Sequence, residues 1–202
     1  MSKSYVSVQI VAKETTTFGM KLFRACLRSI ATAKYANQII VVDNGCSNDV
    51  SSMIEAELNA VPAGVNTSHL RRPELTSFSD LRNVALNATD PETAFIHWID
   101  TDEIYFPEKL TELSNHLGEH NESFVVLNLH HFMVVPNLVQ AVYPKDVIYR
   151  YNLKMRWGKG VHEKIQDPCF GPQRSYNMPY LHFGYCRSQW RTALKWLHYD
   201  VI

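Results

Sequence analysis

Residues 5–11 alternate apolar and polar side chains and are rich in β-branched types, so the chain opens on a predicted strand. The period then changes. Phe23, Cys26, Leu27 and Ile30 recur at the i, i+3, i+4, i+7 spacing of an amphipathic helix that begins near Phe18. Residues 38–42 form a continuous apolar run, the pattern of a strand covered on both faces. It stops at the polar loop 43–49, where Ser47 or Asn48 is placed to cap a helix carrying Val50, Ile54 and Leu58 towards Pro62. Residues 66–70 predict a weaker strand, and Ser79 is the expected N-cap of a short helix bearing Leu81, Val84, Ala85 and Leu86. A second apolar run begins at Phe95 and ends in three acids, Asp100, Asp102 and Glu103. Pro107 then suits the first turn of a helix, Leu110, Leu113 and Leu117 share one face, and Gly118 is a fitting stop.

Beyond that helix the pattern is less regular. Residues 123–135 read as one strand or a bent pair, with further strands expected at 147–151 and 180–185. Residues 188–197 predict a closing helix with Trp190, Ala193, Leu194 and Leu197 on one side. No repeat, low-complexity tract or linker divides the chain. The strand–helix alternation of the first half implies an α/β fold with a mostly parallel central sheet flanked by helices, followed by a β-rich C-terminal half. Open sheets of this kind bind ligands beyond the carboxyl ends of their strands. Asp43 ends the second strand and Asp100 the fourth, so parallel strands would carry both to one edge.

Composition narrows the class. Two hundred and two residues suit a single domain with a real core, and 46% hydrophobic with 20% charged residues is ordinary for a globular protein. Lys plus Arg equals Asp plus Glu at 20 each, so no global field draws the chain to nucleic acid or anionic lipid. Cys26, Cys46, Cys169 and Cys186 are far apart and form no C-x-x-C pair, which fits reduced thiols better than a disulfide scaffold. The first apolar run is too short for a signal peptide, and no segment approaches the ~20 apolar residues of a membrane span. A cytoplasmic protein is expected, with a peripheral position at a membrane left open.

The acids at 100–103 are the first candidate chemistry. Three carboxylates within four residues repel one another in a dry site, and a hard divalent cation such as Mg²⁺ or Mn²⁺ relieves that repulsion. A solvated acidic turn after a buried strand accounts for the same pattern. Glu14 beyond the first strand and Asp43 beyond the second would share the edge. No G-x-x-x-x-G-K-[ST] or G-x-G-x-x-G is present, so any diphosphate must be held by a cation and by side chains such as Arg82. Each residue also has an ordinary reading. Asp43 could be a turn residue in Asp-Asn-Gly, Arg82 an exposed helix residue bridging Asp80 or Glu74, and His182 a hydrogen-bonded strand residue. His162-Glu163 lacks the second histidine of a zinc peptidase motif, since Gln166 stands there.

Four stretches together carry a family resemblance. They are Ile39-Ile-Val-Val-Asp-Asn-Gly-Cys-Ser-Asn-Asp49, Phe78-Ser-Asp-Leu-Arg-Asn-Val-Ala-Leu86, Asp100-Thr-Asp-Glu103, and Gly158-Lys-Gly-Val-His-Glu163 followed by Leu181-His-Phe-Gly-Tyr185. In this order the chain resembles the inverting family-two glycosyltransferases of the GT-A fold, in their Val-His-Glu subgroup. The resemblance implies one GT-A domain, with residues 1–103 as the nucleotide-sugar half and 104–202 as the acceptor half. Asp102 would bind a divalent cation, with Asp100 reaching ribose or metal and His182 completing the protein ligands. Asp43 and Glu14 would read the nucleoside, Arg82 would lie near the diphosphate or Asp100, and Glu163 would be the catalytic base.

The activity so implied is transfer of a sugar from a nucleotide sugar, a UDP-sugar first, to a saccharide or glycolipid acceptor. Displacing the diphosphate builds charge on the leaving phosphate while the sugar becomes oxocarbenium-like, so one cation and one base suffice. Two departures stand out. Lys13 occupies the position where the family usually has Asn, and the chain ends soon after His182. Two other functions share the pattern. Lys154, Arg156, Lys159 and Lys164 could recruit a polyanionic acceptor such as modified DNA, or the chain could be a nucleotide-sugar-binding module without turnover.

Overall fold

The computed structural model describes residues 5–14, 16–117, 123–132, 139–158, 165–166 and 172–183. Its first half follows the predicted alternation: β1 (Val6–Ala12), α1 (Thr17–Ala31), β2 (Gln38–Asp43), α2 (Asn48–Asn59), β3 (Asn66–Arg71), α3 (Phe78–Asn87) and β4 (Phe95–Asp100). After it come β5 (Glu103–Ile104), α4 (Pro107–His116), β6 (Phe124–Phe132), β7 (Val139–Arg150), β8 (Arg156–Trp157), β9 (Ile165–Gln166) and β10 (Gln173–His182).

One sheet runs through both halves in the order β3-β2-β1-β4-β7-β6-β10-β5. β1 to β4 are mutually parallel. The second half makes the sheet mixed: β7 is antiparallel to β4 and β6, β10 is parallel to β6, and β5 is antiparallel to β10.

The continuous run in β2 is explained by burial of every residue, because successive side chains enter opposite cores. Ile39 and Val41 pack with Phe23, Cys26, Leu27, Ile30 and Ile54 beneath α1 and α2. Ile40 and Val42 pack with Leu81 and Ala85 beneath α3. β1 alternates for a different reason than exposure. Its Ser7 and Gln9 are buried too, and are satisfied by Gln38 Oε1 at 2.9 Å and Thr89 Oγ1 at 2.8 Å. β3 is an edge strand, hence its weaker apolar signal.

Several boundaries differ from expectation. The cap of α3 is Ser77, whose extended backbone places its Oγ to accept from Asp80 N at 3.4 Å. Ser79 lies inside the helix and bonds Ser77 at 2.7 Å. β7 begins at Val139 rather than 147, because a register shift against β6 leaves Val147 and Ile148 both buried and breaks the alternation. β10 likewise begins at Gln173 rather than 180, with a shift between Tyr176 and Pro179 hiding its period. Gly118, residues 133–135 and the predicted helix 188–197 lie outside the described residues. Cys26 and Cys46 are free and buried.

Candidate functional site

The carboxyl edge of β1, β2 and β4 collects the candidate groups. Register pairs Ala12 with Asp43 and Val11 with Asp100, so the two acids flank the end of the central strand.

At the β2 end, Asp43 is fully buried. Its Oδ1 accepts from Cys46 N at 2.8 Å, and its Oδ2 from Ser51 Oγ at 2.6 Å and His69 Nε2 at 3.3 Å, with Arg71 Nε at 3.5 Å. Burial alone would push this carboxyl up, but the bonds from Ser51, Cys46 and His69 outweigh it and hold the group below the usual carboxylate range. Asp43 therefore ties β2 to the first turn of α2, across a turn in which Gly45 takes φ 81°.

Glu14 lies between the two ends. Its Oε1 accepts from Thr101 Oγ1 at 2.8 Å, and its carbonyl accepts from Ser47 N at 3.1 Å. The carboxylate lies over α1 where Gly19 has no side chain; a Cβ there would overlap Glu14 Oε2.

At the β4 end the acids separate. Asp100 Oδ2 accepts from Lys145 Nζ at 3.0 Å, and Oδ1 faces Arg82 Nη2 at 3.6 Å. Burial raises this carboxyl while Lys145 and Arg82 lower it, and the cations prevail. Glu103 is fully buried and orients its neighbours. It accepts from Lys145 Nζ at 2.6 Å, Asp100 N at 3.1 Å and the Tyr105 hydroxyl at 3.3 Å. Burial pushes its carboxyl up to about 7 against the pull of Lys145. Burial lowers the Lys145 ammonium, but Glu103 and Asp100 more than offset this and raise it.

Trp98 is the floor of this charge cluster. Arg82 Cζ lies 4.1 Å from its ring centroid and Lys145 Nζ also 4.1 Å, while Arg82 spans to Trp157 at 4.8 Å. Asn83, next on α3, holds β8 through both backbone groups of Trp157. Arg82 is thus a buried site residue, not a surface bridge to Asp80 or Glu74.

Asp102 turns to the opposite partner. β5 pairs His182 with Glu103, and Phe183 N donates to Asp102 O at 3.0 Å. This brings His182 Nε2 to 3.5 Å from Asp102 Oδ1, although the two residues are distant in sequence. Among the described residues no group of three His, Cys, Asp or Glu side chains gathers to hold a metal ion. Asp102 and His182 form a pair, while Asp100 engages Lys145 and Arg82.

Glu163 lies outside the described residues, as do Lys159 and Lys164; Lys154 and Arg156 are exposed. Sequence reasoning missed Lys145 altogether. Its only local signal is a Lys145-Asp146 pair inside a β-rich stretch, obscured because Pro144 precedes it and the apolar run begins only at Val147.

The model of the family described as Glycosyl transferase family 2 matches residues 16–177. The chain belongs to that family. This family-two chain is similar in fold to S. aureus TarS 1-349, at 20% identity and TM-score 0.54, over 72% of this chain and 47% of that one. The same TarS fragment in complex with UDP-GlcNAc matches at 21% and 0.52, over 66% and 37%. The mannosyltransferase PcManGT from Pyrobaculum calidifontis, in complex with GDP-Man and Mn²⁺, matches at 16% and 0.51, over 61% and 35%. The chain thus spans less than half the length of these structures, which share its GT-A architecture. No protein of curated function matches the sequence. Among the described residues no helix is long and apolar enough to cross a membrane.

Proposed function

We propose that this family-two protein is an inverting, divalent-cation-assisted glycosyltransferase that uses a nucleotide sugar, a UDP-sugar first, and a saccharide or glycolipid acceptor. The observation that carries the reading is the carboxyl edge itself. It sets the Glu14 and Asp43 loops on one side, and a cation-rich cluster with the Asp102–His182 pair on the other. Family membership and neighbours holding UDP-GlcNAc or GDP-Man support a nucleotide-sugar donor.

A divalent cation fits the donor set. One carboxylate oxygen and one imidazole nitrogen 3.5 Å apart would suit Mn²⁺, with substrate phosphates and water filling the other positions; Mg²⁺ would lean on the carboxylate alone. Asp102 and His182 would hold the ion, and bound there it would neutralise charge growing on the leaving diphosphate. Arg82 adds a fixed positive charge, locked between two indole rings so that it need not reorganise during reaction. Glu14 would meet the nucleoside. Asp43, being buried, would act through the loop it braces, presenting that loop's edge to the base. Asp100 would reach the ribose. Glu163 would take the proton of the acceptor hydroxyl as it attacks in line, inverting the anomeric centre. Residues 1–103 would form the donor half and 104–202 the acceptor half.

A thermal-shift screen of nucleoside diphosphates and their sugars, with and without Mn²⁺, tests this. Ligand linkage should raise the midpoint for one base and most strongly with the ion. A protein that neither binds nor hydrolyses any nucleotide sugar with Mn²⁺ refutes the reading.

A further inference from the structure

Both acidic neighbours of Asp102 are already neutralised by the chain itself. Lys145 Nζ donates to Asp100 at 3.0 Å and Glu103 at 2.6 Å, and Arg82 faces the other Asp100 oxygen at 3.6 Å. The remaining Glu103 oxygen accepts from Asp100 N and the Tyr105 hydroxyl. Lys145 is poorly placed to leave. It projects from β7, its side chain is 21% exposed, and its ammonium rests on the Trp98 ring. A divalent ion set against Asp100 would therefore stand within reach of two fixed cations.

We propose that Lys145 is a built-in counter-cation that keeps Asp100 and Glu103 out of the divalent-ion set. Among the described residues the free protein then offers an ion Asp102 and His182, and holds it firmly only when a nucleotide's phosphates arrive with it. This rests on the reading of Asp102 and His182 as the ion's ligands. Its consequence is an order of events: the ion enters as a metal–nucleotide complex, and Lys145 is a positioning residue for Asp100 rather than a phosphate ligand. The carboxylate it fixes is thereby kept for hydroxyl groups of the donor.

The test is Mn²⁺ binding to the full chain, read from the spin-resonance signal of the unbound ion, with and without UDP. Wild type should bind Mn²⁺ alone weakly and more tightly with UDP. Asp100→Asn should leave the binding of Mn²⁺ alone within about twofold, whereas Asp102→Asn should abolish it. Lys145→Met should tighten it at least about tenfold by releasing the part-exposed Asp100 carboxylate, since affinity follows ligand charge count. Lys145→Arg should behave as wild type. If Lys145→Met fails to fold, Lys145→Met/Glu103→Gln removes the uncompensated buried acid and should still tighten binding through Asp100. The idea is overturned if Asp100→Asn weakens Mn²⁺ binding fivefold or more, if the folded Lys145 variant binds as wild type does, or if Asp102→Asn leaves binding intact. Failure to recognise any nucleotide sugar would instead strike the proposed activity and leave the arm with Mn²⁺ alone to decide on Lys145.

Discussion

Gly19→Ala is a way to move Glu14 without deleting it. Gly19 is buried in the first turn of α1, and an added Cβ would overlap Glu14 Oε2 and stand 3.2 Å from the Thr16 cap hydroxyl. The obstructing atoms are the end of a flexible side chain, so the carboxylate rotates away while the helix remains. Helix propensity favours alanine by up to about 1 kcal/mol. Against this, Glu14 loses the 2.8 Å bond from Thr101, a hydrogen bond to a charged group worth roughly 1.5–3 kcal/mol. The net loss is about 0.5–2 kcal/mol, or some 1–8 °C in Tm for a chain of this size. Donor affinity should respond more. If Glu14 contacts the nucleoside, losing one charge-assisted bond weakens binding by roughly ten- to a hundredfold. Calorimetric titration of the UDP-sugar, alongside urea denaturation, reads both quantities. Thr101→Val removes the same internal bond without crowding, so its stability loss should not add to that of Gly19→Ala. A folded Gly19→Ala protein whose donor affinity stays within about twofold of wild type would show that Glu14 is outside the donor set.

Ser51→Ala removes a 2.6 Å bond to a fully buried carboxylate and should cost about 1.5–3 kcal/mol at neutral pH. Asp43 has a folded pKa below its unfolded value near 3.8, so its stabilisation is present above that value and is lost as pH falls through the folded one. The Ser51→Ala deficit should therefore shrink in acid; denaturation curves whose gap does not narrow as Asp43 becomes protonated would contradict the assignment. Arg82→Lys keeps the charge but not the guanidinium whose carbon lies near both the Trp98 and Trp157 rings, so a stability loss of about 1–2 kcal/mol is expected. A double-mutant cycle with Trp157→Leu checks it, and additive losses would rule out the stacking. Asp102→Asn should abolish the Mn²⁺-dependent part of the thermal shift given by the donor nucleotide, while an undiminished shift would place the ion elsewhere.

Local pattern carried much of the first half. The apolar run of β2 and the helical spacing of Phe23, Cys26, Leu27 and Ile30 are properties of neighbouring residues, and such periods survive folding because each face meets a fixed environment. Placing Asp43 and Asp100 on one edge followed from parallel pairing alone. The reading failed where order depends on distant partners. Pro144 and the shift at Val147 break the period of β7, so its start and the role of Lys145 were hidden.

What the sequence determined by itself was the α/β class, the carboxyl edge, and the kinds of groups brought to it. Tertiary structure decided how those groups are divided. Asp100, Asp102 and Glu103 look equivalent as a run of acids, but β7 supplies Lys145 to two of them and β10 supplies His182 to the third. Three near-identical carboxylates take different roles because their counter-charges come from strands far apart in the chain, and only pairing of those strands sets which oxygen meets which partner.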